Sequence, residues 1–313
     1  MINSILVQIA SYRDPELIHT VKNLVSTAKN PQNLRICIAW QHDELENIDE
    51  IKSIPNLEIL DIPYKETKGV GWARNLLQKQ YKNEKYILQL DSHHRFVKDW
   101  DEKCITMIQD LQAKGSKKPI LTTYLPNYNE LSGDSDQNYP TKMIYAGFHS
   151  LGFLQFGYSQ IGNHKQLARP IRSRFFSGHF VFTVGDWDKE VLYDVEWWDI
   201  FSEEINMAVR SFTHGYDLFF PHQLIAYHCY SRLGRWIHLY DAKDAKERQE
   251  KDALKLRQLL NMDNESLNID FGIYGIGSER SLIDYEKYAG INFKNRDAEK
   301  HTRYHNEPLN FYQ

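Results

Sequence analysis

From Ile5 onward the chain alternates apolar runs of strand length with longer amphipathic stretches, and this texture persists for about its first 120 residues. Apolar runs bounded by polar residues predict strands at 5–10, 34–41, 57–62, 86–90 and 119–124. Apolar positions recurring every three or four residues predict helices between them at 15–29, 44–53, 71–81 and 100–114, the first opening at Pro15. Such β-α-β-α alternation implies an α/β fold with a mostly parallel central sheet and flanking helices.

The texture then changes. Residues 125–142, with Asn127, Asn129, Ser132, Gly133 and Pro140, form a polar stretch too long for an ordinary connection, of the kind used as lids or flaps. Strands are expected at 144–157 and 175–184, on either side of the basic run Arg169-Pro170-Ile171-Arg172-Ser173-Arg174, which reads as a solvated face or as a surface for an acidic acceptor or phosphate. A helix at 203–213 puts Ile205, Ala208, Val209 and Phe212 on one face, and residues 224–227 form a short strand. Residues 242–260 predict a charged helix whose thin stripe of Ala245, Leu256, Leu259 and Leu260 suits an exposed strut or an oligomer contact. Another helix follows at 282–288, and 295–313 is polar. The expected division is 1–240 as the main α/β unit, in halves 1–124 and 125–240, with 241–313 as a C-terminal helical extension.

Composition changes little in this picture. With 313 residues and 42% hydrophobic content the chain can bury a proper core. A formal net charge of −4 gives no global pull toward nucleic acid or an anionic membrane, so any phosphate binding must be local. Cys37, Cys104 and Cys229 lack CxxC spacing, which argues against a disulfide framework or structural zinc and for a reducing compartment. The N-terminal strand has no basic leader ahead of it, and no stretch is apolar for long enough to span a bilayer, so the expectation is a cytoplasmic protein without a membrane span.

Candidate chemistry begins where the strand Tyr86–Leu90 runs into Asp91-Ser92-His93-His94. Ligands of open α/β sheets bind at the carboxyl ends of the strands. A carboxylate and an imidazole two residues apart can hold one divalent cation, and the mixed O/N donor set suits Mn²⁺-like ions better than Ca²⁺. The bland alternative is a turn-forming or helix-capping Asp. Three other stretches carry related signals. Ser11-Tyr12-Arg13-Asp14 ends the first strand, with Asp14 placed to cap the next helix. Gly69-Val70-Gly71 opens a helix carrying Arg74, half of a diphosphate site or simply a tight turn. Gly178 interrupts an aromatic run, and Trp197, Trp198, Glu203 and Glu204 combine aromatic platforms with carboxylates, although at least one glutamate would serve the first turn of its helix. His228 ends a later short strand and is the missing third ligand or a structural histidine.

Taken together, Ile9 through Pro15, Gly71-Trp72-Ala73-Arg74, Asp91-Ser92-His93, Phe176-Ser177-Gly178, Phe201-Ser202-Glu203-Glu204, His228 through Arg232 and Ile276 through Leu282 resemble the metal-dependent GT-A (Rossmann-like) glycosyltransferases. The likeness is narrower to the polypeptide α-N-acetylglucosaminyltransferases that modify hydroxyproline, with their bacterial relatives; mucin-type N-acetylgalactosaminyltransferases share the Asp-Ser-His pattern. The resemblance implies retaining transfer of a sugar, N-acetylglucosamine first among candidates, from a UDP-sugar donor to a protein or glycan hydroxyl. It implies Mn²⁺ or Mg²⁺ on Asp91, His93 and His228. Ser11, Tyr12 and Arg13 would line the uridine site, with Gly71, Arg74, Ser92 and Arg232 near the nucleotide or diphosphate, and Gly178 and Glu204 at the donor sugar or acceptor. Glu203, Glu204 and Arg74 are the catalytic candidates. His179 departs from the family pattern, standing where relatives often have a second glycine. A glycan-elongating transferase and a non-catalytic sugar-binding protein remain the alternatives, and an oligomer is compatible with the charged helix.

Overall fold

The computed structural model describes residues 3–129, 133–162, 165–231, 235–264 and 267–308. Its centre is an eight-stranded sheet in the order β3-β2-β1-β4-β10-β6-β11-β9. These are β1 (Ile5–Tyr12), β2 (Leu34–His42), β3 (Leu57–Pro63), β4 (Tyr86–Asp91), β6 (Pro119–Thr122), β9 (Ile171–Arg172), β10 (Phe180–Val184) and β11 (Asp217–Phe220). β3, β2, β1 and β4 pair in parallel; β10 runs antiparallel between β4 and β6, and β9 is antiparallel at the edge. The fold is therefore the mixed, mostly parallel α/β sheet that the alternating pattern implied. Central β4 is apolar except for Gln89 before Asp91 and is buried on both faces, as parallel strands under helices must be.

Helices α1 (Leu17–Thr27) and α4 (Trp100–Ala113) lie with β1, β2 and β4 around one core that includes Leu17, Val21, Leu24, Trp100 and Ile108. Helix α3 (Val70–Gln78) covers the other face through Ala73 and Leu77. A third cluster joins α6 (Glu203–Thr213) to the C-terminal helices α8 (Ala245–Leu259) and α9 (Leu282–Ala289) through Phe212, Leu256, Leu260, Tyr285 and Tyr288. Residues from both halves of the chain thus share one sheet, and the C-terminal segment packs into the same core.

Several elements differ from the sequence expectation for physical reasons. The helix expected at 44–53 shrinks to α2 (Asp49–Lys52), because Asp43 and Asn47 accept backbone hydrogen bonds from Leu45 and Asp49 and hold a turn instead. The strand expected at 144–157 is a hairpin, β7 (Thr141–Phe148) and β8 (Leu154–Gln160), turning where Gly152 takes a φ of +104°. Helix α8 packs on the body through one face rather than standing free as a strut: Asp252 accepts the backbone N–H groups of Trp198 and Asp199 at 2.7 and 2.8 Å, bracing the 194–199 segment. Short pieces complete the fold: β5 (His94–Phe96), β12 (Ala226–His228), β13 (Ile291–Asn292), β14 (Asp297–Ala298), α5 (Trp187–Glu190), α7 (His238–Asp241) and α10 (Lys300–Arg303). Among the described residues no helix is long and apolar enough to cross a membrane.

Candidate active site

Two registers bring the site together. β1 and β4 pair with Ala10 opposite Asp91, so the loop after β1 meets the loop after β4. β5 and β12 pair antiparallel with His228 opposite His94, which sets His228 beside His93 although the two are far apart in sequence. As a result one ligand atom from each of Asp91, His93 and His228 lies within 4.8 Å of the others. Both imidazole Nε2 atoms face Asp91 Oδ2, at 3.7 Å for His93 and 3.6 Å for His228. The donor set, one carboxylate and two imidazoles, fits a divalent cation.

A second carboxylate orients this group. Asp14 Oδ2 accepts from His93 Nδ1 at 2.6 Å and from Ser92 Oγ at 2.7 Å, leaving His93 Nε2 as the free lone pair toward Asp91. Burial works against the Asp14 charge, but the facing His93, Ser92 and the Glu16 N–H hold its carboxyl below the usual range. Asp14 is not the N-cap its position suggested: α1 starts after Glu16 with no side-chain cap, and Asp14 Oδ1 accepts the Glu16 N–H at 2.9 Å while Oδ2 serves the site. Its link to His93 is readable only once the pairing of β1 with β4 is known.

The cleft beside these residues has a volume of about 490 Å³. Arg74 is buried at its floor and donates to Asp91 Oδ1 at 3.1 Å, to Tyr193 Oη at 3.1 Å and to Glu203. Desolvation opposes this cation, and Glu203, Tyr193 and Asp91 more than offset it, so the guanidinium stays charged. Its two terminal nitrogens hold Asp91, Glu203 and Tyr193, while its buried Nε has no partner among the described residues. Glu204 accepts from the Gly178 N–H at 3.0 Å and from Tyr124 Oη. Burial pushes the Glu203 carboxyl up to about 7 and that of Glu204 up to about 8. Neither glutamate serves its helix alone, contrary to the sequence expectation; both line the cleft.

Of the residues expected around the nucleotide, Tyr12, Arg74, Ser92 and Gly178 line the cleft, while Ser11, Arg13 and Gly71 do not. The Ser11 side chain is buried behind the wall. Arg13 sits between the Tyr64 and Trp236 rings and pairs with Asp43 and Asp241, each at 3.2 Å. Gly71 is a packing glycine, since a Cβ there would come within 2.3 Å of the Asp194 carbonyl oxygen. Gly71→Ala is expected to cost about 3 kcal/mol by forcing α3 away from the 194–198 segment, read as a lowered urea midpoint. Arg232 lies outside the described residues.

Sequence reasoning missed His179, Tyr124, Tyr193 and the 235–238 segment. His179 stacks on His228 at 4.1 Å between ring centroids and accepts the Leu125 N–H at 3.2 Å, so the residue that departs from the family pattern backs the third candidate ligand. Burial holds its imidazole well below the usual range, hence neutral. Tyr193 was visible only as an aromatic in a loop, because nothing in its neighbours signals the buried Arg74.

The elevated carboxyl of Glu204 has a measurable consequence. The unfolded group ionises from about 4.5, whereas the folded one keeps its proton to about 8, so its contribution to stability is full below 4.5 and is lost as pH rises through that window. Glu204→Gln should flatten this falling slope in metal-free protein, followed by urea denaturation between pH 5 and about 9. An unchanged slope would contradict the assignment.

Among curated proteins no sequence relative is found. The crystal structure of GalNAc-T7 with UDP, GalNAc and Mn²⁺ superimposes with a TM-score of 0.61 at 14% identity, over 82% of this chain and 48% of that one. Staphylococcus aureus TarS 1–349 with UDP-GlcNAc gives 0.51 at 13% identity, over 84% of this chain and 68% of that one. This chain thus spans about half the length of the GalNAc-T7 chain, and at these identities the two structures show a shared fold, that of the GT-A glycosyltransferases. The model of the family described as "Glycosyltransferase (GlcNAc)" matches residues 4–55 and 44–295, nearly the whole length. With a family match on that scale, the chain belongs to the GlcNAc glycosyltransferases.

Proposed function

We propose that this protein transfers N-acetylglucosamine from UDP-GlcNAc to a hydroxyl group of a protein or glycan, with retention at the anomeric carbon, using Mn²⁺ held by Asp91, His93 and His228. The observation that carries the reading is the convergence of those three side chains at the carboxyl end of β4, on the wall of the cleft that Arg74, Gly178 and Glu204 also line. The family match supports the sugar, and the UDP-GlcNAc complex of the TarS structure supports the donor. Cys37, Cys104 and Cys229 form no disulfide among the described residues, which suits a cytoplasmic setting.

A divalent cation at this group would act as a Lewis acid toward the diphosphate as negative charge develops there. The chain's own residues supply the rest. Arg74 fixes Asp91 and Glu203, Asp14 fixes the His93 ring, and Glu204, oriented by Tyr124 and the Gly178 N–H, presents its carboxyl to hydroxyls of the donor sugar or acceptor. Both glutamates are tied down, which favours same-face attack by the acceptor oxygen over a covalent glycosyl-enzyme. The new C–O bond forms as the bond to UDP breaks, and the acceptor proton passes to a donor phosphate oxygen.

Purified protein incubated with Mn²⁺ and a panel of UDP-sugars should release UDP from UDP-GlcNAc in preference to the others. Peptide and oligosaccharide acceptors, screened side by side, then name the acceptor. If no donor were turned over with or without acceptors, the transferase reading would give way to a sugar-binding protein on this fold.

A further inference from the structure

The far edge of the central sheet carries a second cavity, of about 630 Å³, which shares no lining residue with the catalytic cleft. It lies where α4 ends and β11 begins, next to β9. At a strand rise of about 3.3 Å per residue, the path from Lys118 along β6 to Tyr124 puts it roughly 20 Å from the cleft. Its rim carries six cationic side chains, Lys114, Lys117, Lys118, Arg169, Arg172 and Arg280. Two of these come from the basic run that the proposed function leaves unused. Leu111, Pro170 and Phe219 supply an apolar floor.

Internal neutralisation accounts for only part of this charge. Arg280 pairs with Asp217 at 2.8 Å, Lys118 with Glu190 at 2.7 Å and Arg169 with Glu307 at 3.4 Å. Lys114 and Lys117 have no ion pair among the described residues, and both are exposed. Lys114 also complements the C-terminal end of α4, where the helix dipole favours a cation; Lys117 lies beyond that turn. Asp110 and Glu279 are the other carboxylates of the lining, so cations outnumber acids two to one in a chain whose net charge is −4.

We propose that this cavity is a second ligand site, for a small organic polyphosphate of nucleotide size. Its volume is that of a pocket for one such molecule. Guanidinium and ammonium groups on the rim match phosphate oxygens, while the floor of Phe219, Leu111 and Pro170 matches a ring. Inorganic phosphate would use only the rim, which is why the ligand is assigned as organic.

The test is calorimetric titration of the full-length chain with ATP and, separately, with inorganic tripolyphosphate, in EDTA at low salt so that no metal occupies the catalytic group. ATP is expected to bind at one site, more tightly than tripolyphosphate. The double charge reversal Lys114→Glu/Lys117→Glu should weaken ATP at least about tenfold while UDP release from UDP-GlcNAc stays at the native rate. Both lysines are exposed, so the variant should keep its fold, with an unchanged thermal melt as the check. Absence of ATP binding, equal binding by the double variant, or equal affinity for tripolyphosphate would each overturn the assignment. Because ATP binding is read without turnover, failure of the transferase reading leaves this result separately interpretable.

Discussion

Asp91→Asn is expected to lower UDP release from UDP-GlcNAc in Mn²⁺ by about a thousandfold, in a metal-free protein that still folds and melts cooperatively. The substitution keeps the shape of the side chain and a hydrogen-bonding oxygen, yet removes the one anionic donor shared by both imidazoles and by Arg74. With the carboxylate gone, two imidazole rings and a buried guanidinium face any approaching cation, and binding loses its main electrostatic term. His228→Ala removes one imidazole donor and no carboxylate, so its effect should be smaller, about ten- to a hundredfold, and should be partly offset by raising the metal concentration. Equal losses that no metal concentration relieved would mean that both side chains matter only for the fold.

The second large effect concerns Arg74. Replacing it by Met leaves Glu203 buried beside Asp91 and Tyr193 with no counter-charge, at a cost of about 3–5 kcal/mol. Glu203 already holds its proton up to about 7 because it is buried, and losing the facing guanidinium raises it further. The penalty should therefore be smaller at pH 6, where the carboxyl of the variant is protonated, and larger at pH 8. Urea denaturation at the two values reads both the size and the sign. Arg74→Lys should recover only part of the loss, since one ammonium cannot span Asp91, Glu203 and Tyr193 as the guanidinium does. A loss under about 1 kcal/mol at both pH values would show that the buried ion pairs are not what holds this floor together.

How much of this was legible in the sequence depends on the range of the forces involved. The strands of the parallel sheet are readable because each is a local apolar run, and Asp91 and His93 because they follow one directly. The 144–157 stretch reads as one strand because its apolar residues continue through the turn that Gly152 permits. Tertiary pairing decides everything else. Arg74 was expected at the diphosphate because a helix N-terminus with a cation suggests it; it does line the cleft, but its tie to Glu203, 129 positions away, has no local signal. Gly71 was expected to make room for a ligand and instead makes room for Trp197 and Asp194. Asp14 and His179 carry no local mark of their roles, since one reaches His93 through the register of β1 on β4 and the other reaches His228 by ring stacking.

The transferase reading rests on three side chains sharing one cation, and a titration of Mn²⁺ followed by electron paramagnetic resonance tests this without any donor or acceptor, because bound ion drops out of the six-line signal of free Mn²⁺. One ion should bind per chain in the native protein, and the site should vanish in Asp91→Asn and weaken in His228→Ala, with all three proteins folded. Native-like Mn²⁺ binding by both variants would place the cation elsewhere and contradict the account.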